Sequence, residues 1–221
     1  MRNTLLLLAL TCFAASITFA QDEQPLSRTV FKLSPQHFIH NSLKAGIERF
    51  NADHSGSFAV FITGRMENNR EYIYDREGYN GMAGEVQFRK YISPMKLRTS
   101  RKNNTFHQGI YGAAYIQGGT YSGGFEDNYS VYDPNTGTYA QTYYRYTERI
   151  TNGGVGFTIG YQKTLWQVIF LEAFVGGGVQ FSDINISGNR PEDPFYYYSG
   201  ITDPSYRGIL PKIGLHIGIA L

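Results

Sequence analysis

Apolar and polar residues alternate along much of this chain, most clearly over residues 212–221. There Ile213, Leu215, Ile217, Ile219 and Leu221 occupy every second position, and lysine, histidine, glycine and alanine fill the positions between them. A period of two places successive side chains on opposite faces of a β-strand. The last residues are therefore predicted to form a strand with one apolar face.

The same alternation predicts six further strands earlier in the chain, at residues 42–50, 57–66, 84–89, 108–117, 153–162 and 168–181. We predict one more strand at the beginning, from Arg28 through Leu33 and past Pro35 to Ile39, with a tight turn near His40. This strand brings the total to eight, the smallest even number found in membrane β-barrels.

The segments between the predicted strands alternate in length. Residues 51–56 and 162–166 are short, whereas residues 67–81, 121–152 and 182–208 are long, polar and rich in Tyr, Asn, Asp and Pro. Membrane barrels carry short turns at one end and long loops at the other. The connector between Tyr91 and Phe106 is intermediate in length, and alternation assigns it to the end with the short turns.

Composition agrees with closely packed strands, since the chain has 25 Gly, 18 Tyr and 15 Phe but a single Trp. Lys plus Arg number 20 and Asp plus Glu number 18, a balance that argues against a nucleic-acid partner.

Residues 1–20 have the order of a signal peptide, with Arg2, an apolar run and Ala20 before the expected cleavage site. The only cysteine, Cys12, lies within it, so no thiol site is expected in the mature chain.

The polar face of the strands bears on whether the apolar face points inward or outward. A soluble, lipocalin-like barrel also alternates, with its apolar side chains inside. Here the non-apolar positions are mostly Gly, Ala, Ser and Thr with a few charges, which suits a narrow lumen better than a solvated surface. We therefore expect apolar side chains to face lipid, with Phe50, Tyr91, Tyr161 and Phe181 near the membrane interfaces.

With its signal-like N-terminus, its Gly-rich alternating strands and a C-terminal strand that ends at Leu221, the chain resembles the small outer-membrane β-barrel families of Gram-negative bacteria, several of unknown function. In those families a large apolar last residue, more often aromatic, is recognised by the barrel-assembly machinery. The resemblance implies an all-β, eight-stranded antiparallel up-and-down transmembrane barrel at residues 28–221. A signal peptide (1–20) and a short segment (21–27) would precede it, and both termini would be periplasmic.

Charged residues on the polar face are predicted to pair inside the lumen, because a barrel of eight strands is just wide enough for side chains to fill. This predicted lumen network comprises Lys44, Glu48, Glu85, Arg89, Glu172, Lys212 and His216. A polar conduit is the alternative that this packing opposes. No catalytic, metal or cofactor site is predicted, since no phosphate loop, HExxH or GxSxG motif occurs.

The long loops are the remaining candidates for function, through Tyr143, Tyr144, Tyr146, Tyr196, Tyr197 and Tyr198. Such tyrosines either bind a partner or belong to strands that extend beyond the membrane. We therefore expect a structural or binding role, with outer-membrane lipid, the assembly machinery and another envelope protein as partners. A lipid-modifying enzyme and a soluble periplasmic carrier are the alternatives.

Overall fold

The computed structural model describes residues 28–52, 55–66, 79–94, 109–134, 137–165, 168–189, 201 and 203–221. These residues form β1 (Thr29–Leu33), a 3-10 helix (Pro35–His40), β2 (Ser42–Phe50), β3 (Gly56–Arg65), β4 (Asn80–Pro94), β5 (Gly109–Asp133), β6 (Thr138–Leu165), β7 (Ile169–Asn189) and β8 (Gly208–Ala220). Within these ranges no helix is long and apolar enough to cross a membrane.

Each strand pairs antiparallel with the next one in the chain, and β1 also pairs with β8, which closes the sheet into a barrel. The predicted all-β class and the eight antiparallel strands are thus confirmed. Because successive strands reverse direction, β1 starts and β8 finishes at the same end, which we call the terminal end. The connections after β1, β3, β5 and β7 lie at the opposite end, which we call the hairpin end.

The two faces of the sheet differ in chemistry. Large apolar side chains lie exposed on the outer face of the strands, among them Leu43, Ile47, Val60, Ile62, Phe88, Ile116, Val155, Phe157, Val175, Ile213 and Leu215. The inner face carries buried charged and amide side chains, among them Lys32, Lys44, Glu48, Glu85, Gln87, Arg89, Gln162, Glu172 and His216. The outer face of the barrel is therefore apolar, whereas the inner face combines buried charges with buried aromatic rings such as Phe61 and Tyr111.

The first strand is shorter than predicted. β1 ends at Leu33, and Pro35 opens the 3-10 helix instead of continuing the strand to Ile39. Proline has no backbone N–H to give to the ladder, and its fixed φ suits the first turn of a helix. Asn41 then adopts a left-handed conformation with φ of 48°, which returns the chain to β2.

The prediction of a long loop over residues 121–152 is wrong. Strands β5 and β6 continue as a paired hairpin through most of it, from Ser122 opposite Arg149 to Asp133 opposite Thr138. β7 likewise continues to Asn189, beyond the predicted end at Phe181. Along the β5–β6 extension polar residues fall on both faces, for example Glu126 and Asp127, so hydrophobic periodicity does not identify it.

Candidate functional site

Four fully buried charges meet in the lumen near the terminal end, and we call them the first charge cluster. Lys32 from β1 binds Glu48 of β2 and Glu172 of β7. Arg89 from β4 reaches the same two carboxylates, with Nη1 2.9 Å from Glu172 Oε2 and 3.2 Å from Glu48 Oε2. Two cations and two anions thus cancel, which is the condition under which buried charges are tolerated.

Neutral side chains complete the hydrogen bonding of the first charge cluster. The hydroxyl of Tyr111 donates to Glu172 Oε1 at 2.6 Å, and Lys32 Nζ donates to Gln162 Oε1 at 2.6 Å. Arg89 Nε donates to Gln87 Oε1 at 2.8 Å, and the guanidinium lies 4.8 Å from the ring centroid of Tyr111. Every charge therefore has several partners, and these partners come from different strands around the barrel.

His216 extends the cluster toward the hairpin end. Its Nδ1 lies 2.9 Å from Glu172 Oε1, and since a carboxylate only accepts, this nitrogen carries the hydrogen. Its ring is stacked between Phe61 and Phe174, with centroids 4.7 and 4.8 Å away. Its Nε2 is buried and has no hydrogen-bond partner among the described residues. The ring is only 1% exposed, so the pair is enclosed.

A second charge cluster follows along the lumen and consists of Lys44, Glu85 and Lys212. Glu85 accepts from Lys44 at 2.5 Å and from Lys212 at 2.7 Å. Lys212 Nζ also lies 3.6 Å from the ring centroid of Tyr115, a cation–π contact that offsets part of its desolvation. Gln87 donates to Glu85 and accepts from Arg89, so it joins the two clusters into one network.

Aromatic side chains fill the lumen at the terminal end. The ring of Phe50 lies 5.8 Å from that of Tyr91 and 6.5 Å from that of Phe170, and all three are buried. The prediction that Phe50 and Tyr91 sit in an outer interfacial ring is therefore wrong, because both lie on inward-facing positions. Tyr161 and Phe181 do face outward.

A short segment before β8 lies across the hairpin end of the lumen. Asn152 donates to the carbonyl of Pro204 at 3.0 Å, Ser182 to that of Ser205 at 2.6 Å, and Gln180 to that of Tyr206 at 3.2 Å. Ser205 is only 9% exposed. The aromatic layer, the charge network and this segment therefore occupy three successive levels of the lumen.

Glycines on inward-facing positions make room for these large side chains. A Cβ on Gly156 or Gly178 would come within 2.6 or 2.5 Å of the Tyr115 hydroxyl oxygen, closer than real Cβ contacts allow. Gly160 faces the ring of Tyr111 in the same way. The glycine content of the strands therefore follows from a crowded lumen, as expected for so narrow a barrel.

All seven residues of the predicted lumen network, Lys44, Glu48, Glu85, Arg89, Glu172, Lys212 and His216, lie on the inner face and contact one another directly or through a shared partner. Lys32 was not among the predicted lumen residues, although it binds the same two carboxylates as Arg89. The signal was present, since Lys32 lies between Phe31 and Leu33 and so falls on the face opposite two apolar side chains.

Three of the six tyrosines predicted for external loops lie in a strand instead. Tyr143, Tyr144 and Tyr146 belong to β6 within the β5–β6 hairpin. Tyr143 is exposed, whereas the ring of Tyr146 stacks on Phe125 with centroids 5.0 Å apart. Tyr196, Tyr197 and Tyr198 lie outside the described residues.

In the described part of the chain no three or more His, Cys, Asp or Glu side chains lie together in a group suited to a metal ion. Comparison with family models, curated proteins and solved structures finds no match for this chain. Its function therefore has to be argued from the geometry of the barrel.

Proposed function

We propose that this chain is an outer-membrane β-barrel with an occluded lumen, whose role is structural or a binding one exerted through its hairpin end. The observation that carries the proposal is the distribution of side chains, apolar on the outer face and charged on the inner face. A closed barrel satisfies its backbone hydrogen bonds internally, which is the requirement for strands in lipid. An apolar exterior around a polar interior is the pattern of such barrels.

The height of the apolar band supports a membrane-spanning role. On β7 the outward positions from Leu171 to Phe181 are apolar or glycine, and exposed Asp183 follows. Ten residue steps of about 3.3 Å, inclined at about 40°, give a height of about 25 Å. This height equals that of the apolar band in outer-membrane barrels, about 25 Å.

The orientation follows from the connections. Two of the three connections at the terminal end, residues 51–55 and 166–168, are short, which suits the periplasmic side. At the hairpin end β5 and β6 extend well beyond the apolar band, which suits the outside. Both termini would then be periplasmic, with residues 1–20 removed as a signal peptide on export. The β5–β6 hairpin would project outside the cell, where the exposed rings of Tyr139 and Tyr143 could contact a partner such as another envelope protein.

The occluded lumen argues against conduction and against a carrier. A soluble carrier barrel keeps an apolar cavity for its ligand, whereas this lumen holds two charge clusters and an aromatic layer. The lipid-modifying alternative has one feature in its favour, the Glu172–His216 pair, which resembles a base with its orienting carboxylate. Its burial between two phenylalanine rings leaves a substrate no route to it.

Fractionation of the full chain tests the membrane assignment. We expect it in the outer-membrane fraction, with faster gel migration before heating than after. We also expect no discrete conductance steps in a planar bilayer. Recovery in the soluble periplasm would overturn the membrane assignment, and a stable open channel would overturn the occluded lumen.

A shortened hairpin tests the binding role. Residues 127–144 pair only with one another, apart from the turn between them, so an Asn-Gly turn can replace them and join the cross-strand pair Glu126 and Arg145. This variant should fold and insert like the wild type but recover fewer partners from solubilised outer membranes. Identical recovery would refute a role of the hairpin, and an altered lipid acyl pattern in a deletion strain would favour the enzyme.

A further inference from the structure

A groove runs along the outer face of the barrel over β5. Its floor is the small outward residues Gly112 and Ala114, and its walls are Phe88 and Lys90 of β4 and Phe157 and Ile159 of β6. Its volume is about 450 Å³, within the range of about 300–1,000 Å³ typical of pockets for small ligands. The groove exists because small residues on one strand separate large residues on its two neighbours.

The walls of the groove are apolar except for one cation. Phe157 and Ile159 are largely exposed, and Phe88 is held by an edge-to-face contact with Phe58, at 5.1 Å between centroids. Lys90 is exposed and pairs in register with Gly56, the first residue of β3, so it lies at the level of the β2–β3 turn. The groove therefore lies toward the terminal end of the barrel, with an ammonium group at its margin.

We infer that this groove binds one acyl chain of an anionic phospholipid, whose phosphate pairs with Lys90. The inference rests on the proposed function, because it requires this face to contact a bilayer. In lipid the apolar walls gain nothing from leaving water, so close van der Waals packing in the groove must retain the chain. The flexible lysine side chain can extend to the interface, where anionic headgroups attract it.

The charge at this end of the barrel agrees with an anionic ligand. Arg49 of β2 and Lys163 of β6 also face outward and are exposed near the terminal end. Arg49 is in register with Phe58, the residue that supports Phe88. A phospholipid supplies both parts that the site requires, an apolar chain for the groove and a phosphate for the cation.

Native mass spectrometry of the full chain from outer membranes, given equal phosphatidylglycerol and phosphatidylethanolamine, tests this inference. We expect one retained phosphatidylglycerol on the wild type and none on Gly112→Leu, whose side chain would fill the groove without a clash, since the nearest atom to its Cβ is 4.0 Å away. Gly84→Leu is the matched control, because Gly84 also faces outward into open space but lies outside the groove. Lys90→Gln should lower the preference for phosphatidylglycerol about fivefold.

The outcomes separate this inference from the proposed function. Failure of the wild type to fractionate with outer membranes would overturn both. A membrane-embedded wild type with equal lipid retention in Gly112→Leu and Gly84→Leu would overturn the groove alone. Conversion of a dimer into a monomer by Gly112→Leu would also overturn it, because a second copy of the chain would then occupy the groove. Should Gly112→Leu not fold, Ala114→Leu fills the same floor.

Discussion

Replacement of Glu172 by Gln is the most direct test of the charged lumen. Glutamine keeps the shape of the side chain, and its oxygen can still accept from Tyr111 and His216. Its NH2 group then faces Lys32 and Arg89, so the substitution removes the charge and the acceptor that these two cations share. Lys32 and Arg89 would then share one carboxylate, Glu48, in a fully buried site. Breaking a buried ion pair by removing one partner costs about 3–5 kcal/mol. We expect the free energy of unfolding to fall by this amount.

A second substitution separates the charge effect from lost packing. Lys32→Met removes the cation that Glu172 binds, so the double variant keeps the neutral pair of Arg89 and Glu48. We expect the double variant to be less destabilised than the sum of the two single variants, with a coupling of about 0.5–3 kcal/mol.

The measurement is the urea midpoint of the heat-modifiable folded gel band in lipid vesicles. Glu126→Gln is the matched control, because Glu126 pairs with Arg145 at 3.0 Å on the exposed hairpin, and exposed pairs contribute about 0–1 kcal/mol. A Glu172→Gln midpoint equal to that of Glu126→Gln, or additive effects in the double variant, would refute the view that the cluster depends on balanced charge.

Two further substitutions test the two faces of the barrel wall. Val175 faces outward at 59% exposure, so Val175→Arg should destabilise the folded protein in vesicles by about 2–4 kcal/mol; an unchanged urea midpoint would contradict lipid contact at this face. Gly178→Val should place its Cβ against the carbonyl oxygen of Val155 and 2.5 Å from the Tyr115 hydroxyl oxygen, and so lower the folded yield, with a cost of at least about 1–3 kcal/mol. The matched Gly84→Val, which meets no atom within 4 Å, should fold normally, and equal yields would show that the lumen is not crowded at Tyr115.

Strand positions and inward side chains could be predicted where one face of a strand is apolar and the other is not. The predicted bounds of the strand at Ser42–Phe50 match those of β2, and its inward residues Lys44 and Glu48 both belong to the lumen network. Such strands lie within the apolar band, where a shift of one residue would turn their charged side chains to the outer face. The alternation therefore determines which side chains of these strands face the lumen.

The pattern fails where this constraint is absent. Beyond the band, residues 122–133 of β5 and their partners on β6 have no strong alternation, so they were predicted to be a loop although they pair as strands. β1 has only five residues, too few for alternation to show where the strand ends, so it was predicted to continue past Pro35. Its inward residue Lys32 was not assigned to the lumen. Phe50 and Tyr91 are a different case, because the period of two places them on the inner face with Glu48 and Arg89. They were assigned to the membrane interfaces only because they are aromatic residues at strand ends.

The sequence by itself determined the all-β class and, on the strands that alternate clearly, which charged residues share the inner face, because both follow from a local period of two. Only the tertiary structure decided that Lys32, Glu48, Arg89 and Glu172 meet as a neutral cluster, since these residues come from four strands brought together by closure of the barrel. It also decided that small residues on β5 leave a groove between β4 and β6. Both features depend on the register between strands, which a period along a single strand does not encode.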